Sequence, residues 1–237
     1  MFQGFEQEKI NADGVEINLV RGGSGPPLLM LHGYPQSHVM WHRVAPILAQ
    51  HFTVVAPDLR GYGDSAKPDS GADHFAYSKR ASAADQVAVM AALGFNKFAL
   101  VGHDRGARVA HRLALDHPEQ VQRLALIDIV PTNTAFAETN MEKAMGYYHW
   151  FFLSQPFDLP ERLIGGDPEY YLKWCLKSWG GGALDYFDEE AMAEYVRCFS
   201  DPAVIHASCE DYRAGATIDL EHDGADLSKK IACPAMA

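Results

Sequence analysis

Leu100-Val101-Gly102-His103-Asp104-Arg105-Gly106-Ala107-Arg108 is the stretch on which the reading of the chain turns. An apolar run, Phe98 to Val101, meets Gly102, and a helix-forming segment follows from Arg108 to Asp116. The polar pair His103-Asp104 therefore falls on a strand-to-helix turn. Small residues on either side let the backbone bend sharply there, and Gly-x-nucleophile-x-Gly is the pattern of a nucleophile elbow. The middle residue is Asp104, not Ser or Cys. A carboxylate is a poor acyl acceptor but a competent attacker of an alkyl carbon that bears a leaving group. An Asp that merely caps the next helix would write the same five letters, so the surroundings decide.

Outward from the elbow, short apolar runs alternate with helical patterns. Leu28 to Leu31 and Phe52 to Ala56 read as strands buried on both faces of a parallel sheet, and Val121 to Ile129 as the strand after the elbow helix, with Asp128 at its carboxyl end. Between them, Val39 to Gln50 is expected to be a helix with Trp41, Val44, Ile47 and Leu48 on one side, and Ser78 caps a helix running to Leu93 and closed by Gly94. Upstream, Asp13-Gly14 separates Glu8 to Ala12 from Val15 to Leu19, a hairpin signal for two antiparallel edge strands. The expected fold class is α/β: a doubly wound, mostly parallel sheet.

After Pro131 the alternation ceases. Residues 132–226 are helical in pattern and rich in aromatics, as in Tyr147-Tyr148-His149-Trp150-Phe151-Phe152, and are expected to form a helical cap inserted over the strand ends. Tyr147, Tyr148, Phe151 and Phe152 are assigned to packing. Residues 1–131 then make the core, and residues 227–237 read as the sheet resuming.

The totals exclude several classes. A net charge of -11 over 237 residues gives no basic footprint for nucleic acid or an anionic membrane. No apolar run approaches the roughly 20 residues that span a bilayer, and Met1 to Glu6 is not a signal segment, so the expected setting is cytoplasmic. The four cysteines have no zinc spacing and read as free thiols. Gly22-Gly23-Ser24-Gly25 lacks the spacing of a nucleotide loop, and Gly180-Gly181-Gly182 reads as a plain loop. No metal and no organic cofactor is expected, because a carboxylate and a water suffice.

His32-Gly33-Tyr34-Pro35, Asp58-Leu59-Arg60-Gly61-Tyr62-Gly63, the elbow and the helical segment after the sixth strand together resemble the α/β-hydrolase superfamily over essentially the whole chain. Within it, Gly-His-Asp is shared by epoxide hydrolases and haloalkane dehalogenases, where Trp usually follows the nucleophile. Here Arg105 follows. His103-Asp104-Arg105-Gly106-x-Arg108, His149-Trp150 and Asp211-Tyr212-Arg213-Ala214-Gly215 are similar to the fluoroacetate dehalogenases.

The resemblance implies a small anionic haloacid as substrate, no cofactor, and a homodimer. It implies that Asp104 displaces the halide to form an ester, that His149, Trp150 and Tyr212 hydrogen-bond the halide, and that Tyr34 and Arg105 backbone N–H groups form an oxyanion hole. Arg105 and Arg108, about 60° apart at the start of one helix, would grip the substrate carboxylate. Paired surface arginines would show the same spacing. Asp58 and Arg60 are read as loop braces.

Asp128 matches the position that orients a histidine, which then activates water against the ester. In this superfamily that histidine follows the last strands, and none of the eleven histidines here fits it. The expectation is a chain lacking the C-terminal strands, helices and base, and so incapable of turnover. Epoxide opening or another haloalkane or haloacid dehalogenation is the nearest alternative, and a non-catalytic binding protein on the same scaffold a further one.

Overall fold

A computed structural model describes all 237 residues, Met1 to Ala237. Strand β1 (Glu6–Ala12) turns into β2 (Val15–Gly22) through Asp13 and Gly14, both at positive φ, the two-residue turn whose twist suits a hairpin. The further strands are β3 (Pro27–Leu31), β4 (Thr53–Pro57), β5 (Phe98–His103), β6 (Val121–Ile127) and the short β7 (Ala235–Met236). They form one sheet in the order β1-β2-β4-β3-β5-β6-β7. From β4 to β7 every pairing is parallel. The hairpin was expected to supply two edge strands. Only β1 is an edge, because β2 also pairs antiparallel with β4, Leu19 opposite Pro57 through Gly22 opposite Val54.

Side-chain alternation explains the continuous apolar runs. Leu28 and Met30 join Val54, Ala56, Trp41 and Ala45 in one cluster, whereas Leu29, Leu31 and Val55 face Val89, Met90 and Leu113 in another. A strand covered on both faces has no position for an exposed polar residue.

Helix α2 (Lys79–Ala92) starts where the Ser78 hydroxyl accepts from the Ala81 N–H, and α3 (Arg105–Asp116) follows the elbow directly. The helix expected over Val39 to Gln50 is instead a 3-10 turn, His38–Trp41, and a single α-turn, α1 (Ala45–Leu48). Pro46 has no N–H to donate backward and its ring crowds the preceding turn, so a helix can begin there but not pass through. Val44 and Ile47, expected on an inner face, are exposed.

Between Thr132 and Ala225 the chain is helical: α4 (Thr132–Ala137), α5 (Met141–Gly146), α6 (Tyr148–Leu153), α7 (Leu159–Gly165), α8 (Pro168–Trp179), α9 (Glu189–Phe199), α10 (Pro202–Ala216) and α11 (Ile218–Ala225). Leu153 of α6, Leu172 of α8, Tyr195 of α9 and Tyr212 of α10 belong to the same apolar cluster as Leu29 and Leu31. The helical layer thus shares its core with the sheet. All four cysteines are free thiols, and no helix is long and apolar enough to cross a membrane.

Candidate active site

The elbow forms because two glycines permit a close approach. A Cβ on Gly102 would lie 2.5 Å from the Gly106 carbonyl oxygen, and one on Gly106 would lie 2.2 Å from that of His32. Asp104 takes φ 48° and ψ -118°, a backbone state that L-residues hold only under surrounding constraint. Its N–H donates to the Ile127 carbonyl at 3.1 Å, and its Oδ1 accepts from the Tyr34 N–H at 2.9 Å. One carboxylate oxygen is therefore pinned, leaving Oδ2 for chemistry. The Arg105 N–H occupies the first position of α3, where a helix has no internal acceptor for it.

The loops beneath are fully braced. His32 donates from Nδ1 to the Gly33 carbonyl and accepts at Nε2 from the Leu59 N–H, at 3.0 Å each. Asp58 accepts from the Asn18 side chain, from the His38 N–H and ring, and from the Asp64 N–H, all within 3.0 Å. Burial pushes the Asp58 carboxyl up, but the His38 charge and hydrogen bonds outweigh it and hold the group well below the usual carboxylate range. Arg60 reaches Asp85 at 2.5 and 2.6 Å. Both residues are braces, as expected.

Above Asp104 lies a cavity of about 820 Å³, within the range of small-molecule sites. Tyr34, Asp104, Arg108, Asp128, His149, Trp150 and Tyr212 border it. These seven come from loops and helices up to 178 residues apart in sequence, counting from Tyr34 to Tyr212. His149 lies against Tyr34 (ring centroids 6.4 Å, parallel) and Tyr212 (5.7 Å, edge-on). The Tyr34 and Tyr212 hydroxyls and His149 Nδ1 are buried without a hydrogen-bond partner. Burial pulls the His149 pKa down to about 4, so at neutral pH the ring is uncharged and offers one N–H. Burial, and then the Asp104 charge, keeps the Tyr212 phenol protonated. These buried polar atoms belong to residues that border the cavity, where a ligand could reach them.

The two arginines part company. Arg108 borders the cavity: its Nη1 donates to the Val130 carbonyl at 2.8 Å and Thr132 Oγ1 at 3.1 Å, and its guanidinium lies 4.4 Å from the Trp150 ring. Burial, then the neighbouring Arg105, lowers its pKa to about 10, and it remains a cation at neutral pH. Arg105 is buried beneath the cavity wall, Nε on Asp211 Oδ2 and Nη2 on the Asp211 carbonyl, both at 2.6 Å, with the Tyr212 ring 4.1 Å away. It is not among the residues lining the cavity, and its Nε and Nη2 are both taken by Asp211. Of the two arginines expected to grip a substrate carboxylate, Arg108 thus borders the cavity and Arg105 lies behind it, both of them buried.

Sequence reasoning missed what holds Arg105. Asp211 also takes the Lys79 ammonium on Oδ1 and the Tyr62 hydroxyl at 2.9 Å, and is held ionised far below its usual range: burial opposes this and Arg105 and Lys79 overcome it. Lys79 is 3% exposed although it opens a helix, and nothing in its local sequence marks it as internal. Trp179, exposed and 4.4 Å from His149, was also missed as a cavity residue. Tyr147 and Phe151, assigned to packing, instead border the cavity and are substantially exposed. Asp128 follows β6 at φ 58°, exposed, bordering the cavity and without a side-chain hydrogen bond.

A parallel sheet carrying a carboxylate on a strand-turn-helix elbow under a helical layer defines the class, and the chain belongs to the alpha/beta hydrolase fold family, whose pattern matches residues 26–204. A Nostoc structure described as an alpha/beta hydrolase superposes with a TM-score of 0.97 at 62% identity, covering 99% of this chain and 80% of that one. The particular group is that of the fluoroacetate dehalogenases. The protein so named from a Burkholderia species is 53% identical over 236 residues, 100% of this chain and 78% of the relative. A Corynebacterium soluble epoxide hydrolase is 38% identical, over 95% of this chain and 77% of that one.

Proposed function

We propose that the chain performs hydrolytic dehalogenation of a small haloacid, taking fluoroacetate to glycolate and fluoride. The observation that carries this reading is the pairing of a pinned carboxylate with buried ring donors that have no partner in the chain. Asp104 Oδ2 attacks the carbon bearing fluorine, a C–O bond forms as the C–F bond breaks, and fluoride leaves towards His149, Trp150 and Tyr212. Fluoride is a small, poorly leaving anion, and donors already oriented in a dry site stabilise it as charge develops, by about 3 kcal/mol each. Arg108, whose Nη2 has no partner in the chain, orients the substrate carboxylate, and the buried Arg105 charge behind Tyr212 supports it.

In the second step, water attacks the Asp104 ester carbonyl, with the Tyr34 and Arg105 N–H groups stabilising the oxyanion. Asp128 is the residue positioned to orient an imidazole that takes the water's proton. His103 and His149 border the cavity, yet neither hydrogen-bonds Asp128. Residues 1–237 alone are therefore expected to release one fluoride and stop at the ester. Residues 132–226 act as the cap that closes this site.

Epoxide opening is the second reading, favoured by the unpaired Tyr212 hydroxyl, which could protonate the ring oxygen. A buried arginine on the cavity wall suits an anion better than a neutral epoxide. The test is fluoride release from fluoroacetate in a single turnover, with intact-protein mass reporting one glycolyl unit on Asp104. Epoxide opening without fluoride release would reverse the order of the two readings.

A further inference from the structure

Arg108 separates the main cavity from a second, much smaller one of about 10 Å³, bordered on its far side by Arg112, Thr132, Asp219 and Lys79. Three of these residues each leave one buried side-chain atom without a hydrogen bond, namely Arg108 Nε, Arg112 Nη1 and Asp219 Oδ2, the last two holding only long ion pairs, Arg112 to Asp223 Oδ1 at 3.7 Å and Asp219 to the Lys79 ammonium at 3.4 Å. All three residues are more than nine-tenths buried. Every other polar atom that ties them is accounted for. Arg108 Nη1 is on Val130 and Thr132, Arg112 Nε and Nη2 are on Asp116 and Asp226, and Asp219 Oδ1 accepts the Lys79 N–H at 2.8 Å.

The geometry points to a site for one buried water that accepts from Arg108 Nε and Arg112 Nη1 and donates to Asp219 Oδ2. The volume suits a single water, and three partners of mixed polarity are what a buried water requires. Two unpaired donors alone would equally suit a chloride ion. The unpaired Asp219 oxygen excludes it, because an anion would meet a carboxylate there with no proton between them.

The consequence reaches the main cavity. A guanidinium is planar, so fixing Nη1 on one side and Nε on the other fixes the direction of Nη2, the nitrogen that remains for a substrate carboxylate. Asp219 is thus a positioning residue for Arg108, acting through the water. This role rests on the reading of Arg108 as the carboxylate-binding arginine; the water site itself does not.

A high-resolution crystal structure of the chain, with a second crystal soaked in bromide, tests the site directly. A density peak within hydrogen-bond distance of all three atoms, carrying no bromine anomalous signal, is expected. An empty cavity or a bromine peak overturns the proposal. The positioning role is read by titrating glycolate and chloride as separate probes. Asp219→Ala is expected to weaken glycolate about fivefold, one ordinary hydrogen bond's worth, with chloride affinity within twofold, and Asp219→Asn, which keeps an acceptor, to restore glycolate. Equal loss for both probes overturns the positioning role. Glycolate binding unmoved by Arg108→Ala overturns the carboxylate reading instead, with the density peak unaffected.

Discussion

The loops under the elbow and the helical face above it use the same residue types in opposite ways. Below, His32 has both ring nitrogens bonded and Asp58 accepts four hydrogen bonds. Above, His149 Nδ1 and the Tyr34 and Tyr212 hydroxyls are equally buried and bonded to nothing. A buried polar group without a partner costs about 1–3 kcal/mol. His32 and Asp58 avoid that cost, and the three residues bordering the cavity carry it.

The sharpest way to break this contrast is at its boundary. Asp104→Asn removes the nucleophile, and single-turnover fluoride release should fall by on the order of 10⁴-fold, with little change in Tm; retained release would mean that another group attacks. Asp211→Asn attacks the satisfied layer. It leaves Arg105 buried without a counter-charge, while Lys79 keeps Asp219 at 3.4 Å, and should cost about 3–5 kcal/mol, read as a lower urea midpoint. A midpoint that does not move would show the network to be dispensable.

His149 gives a pH test. Its folded pKa of about 4 lies below the usual value for the unfolded chain, about 6.5, so between those values the unfolded state binds more protons and stability rises with pH. The gain should total about 3 kcal/mol at most across that window and persist above it, where the pH dependence vanishes. Comparing wild type with His149→Phe between pH 4 and 7 isolates it, and parallel curves would contradict the assignment. Smallest in stability is Tyr212→Phe, which removes a buried hydroxyl that has no partner and should raise stability by about 1 kcal/mol. The same change should slow fluoride release about a hundredfold; a marked loss of Tm with unchanged release would invert the proposed division between layers.

Much of the lower layer was legible in the sequence because its determinants are local. Gly102 and Gly106 flank Asp104, Ser78 caps α2, and Asp13-Gly14 turns β1 into β2 within a few residues. The one local failure, Val39 to Gln50, came from weighing apolar spacing over Pro46. The upper layer was less legible for a geometric reason. Helical spacing shows that Arg105 and Arg108 share a face, but not that Asp211, 106 residues on, takes two nitrogens of one and none of the other. Tyr212 and His149 came from motif resemblance, whereas Lys79, Asp219 and Trp179 carry no local mark of their places.

The Tyr34 N–H bond to Asp104 Oδ1 has a stereochemical consequence. With one oxygen held and the backbone fixed at the elbow, Asp104 Oδ2 would approach a substrate carbon from a single direction. Displacement along one line turns the carbon inside out like an umbrella. A 2-halo acid with a chiral centre, if accepted, should therefore be held on Asp104 as an ester of opposite handedness, and chiral chromatography of the hydroxy acid freed from that ester by alkali would show it.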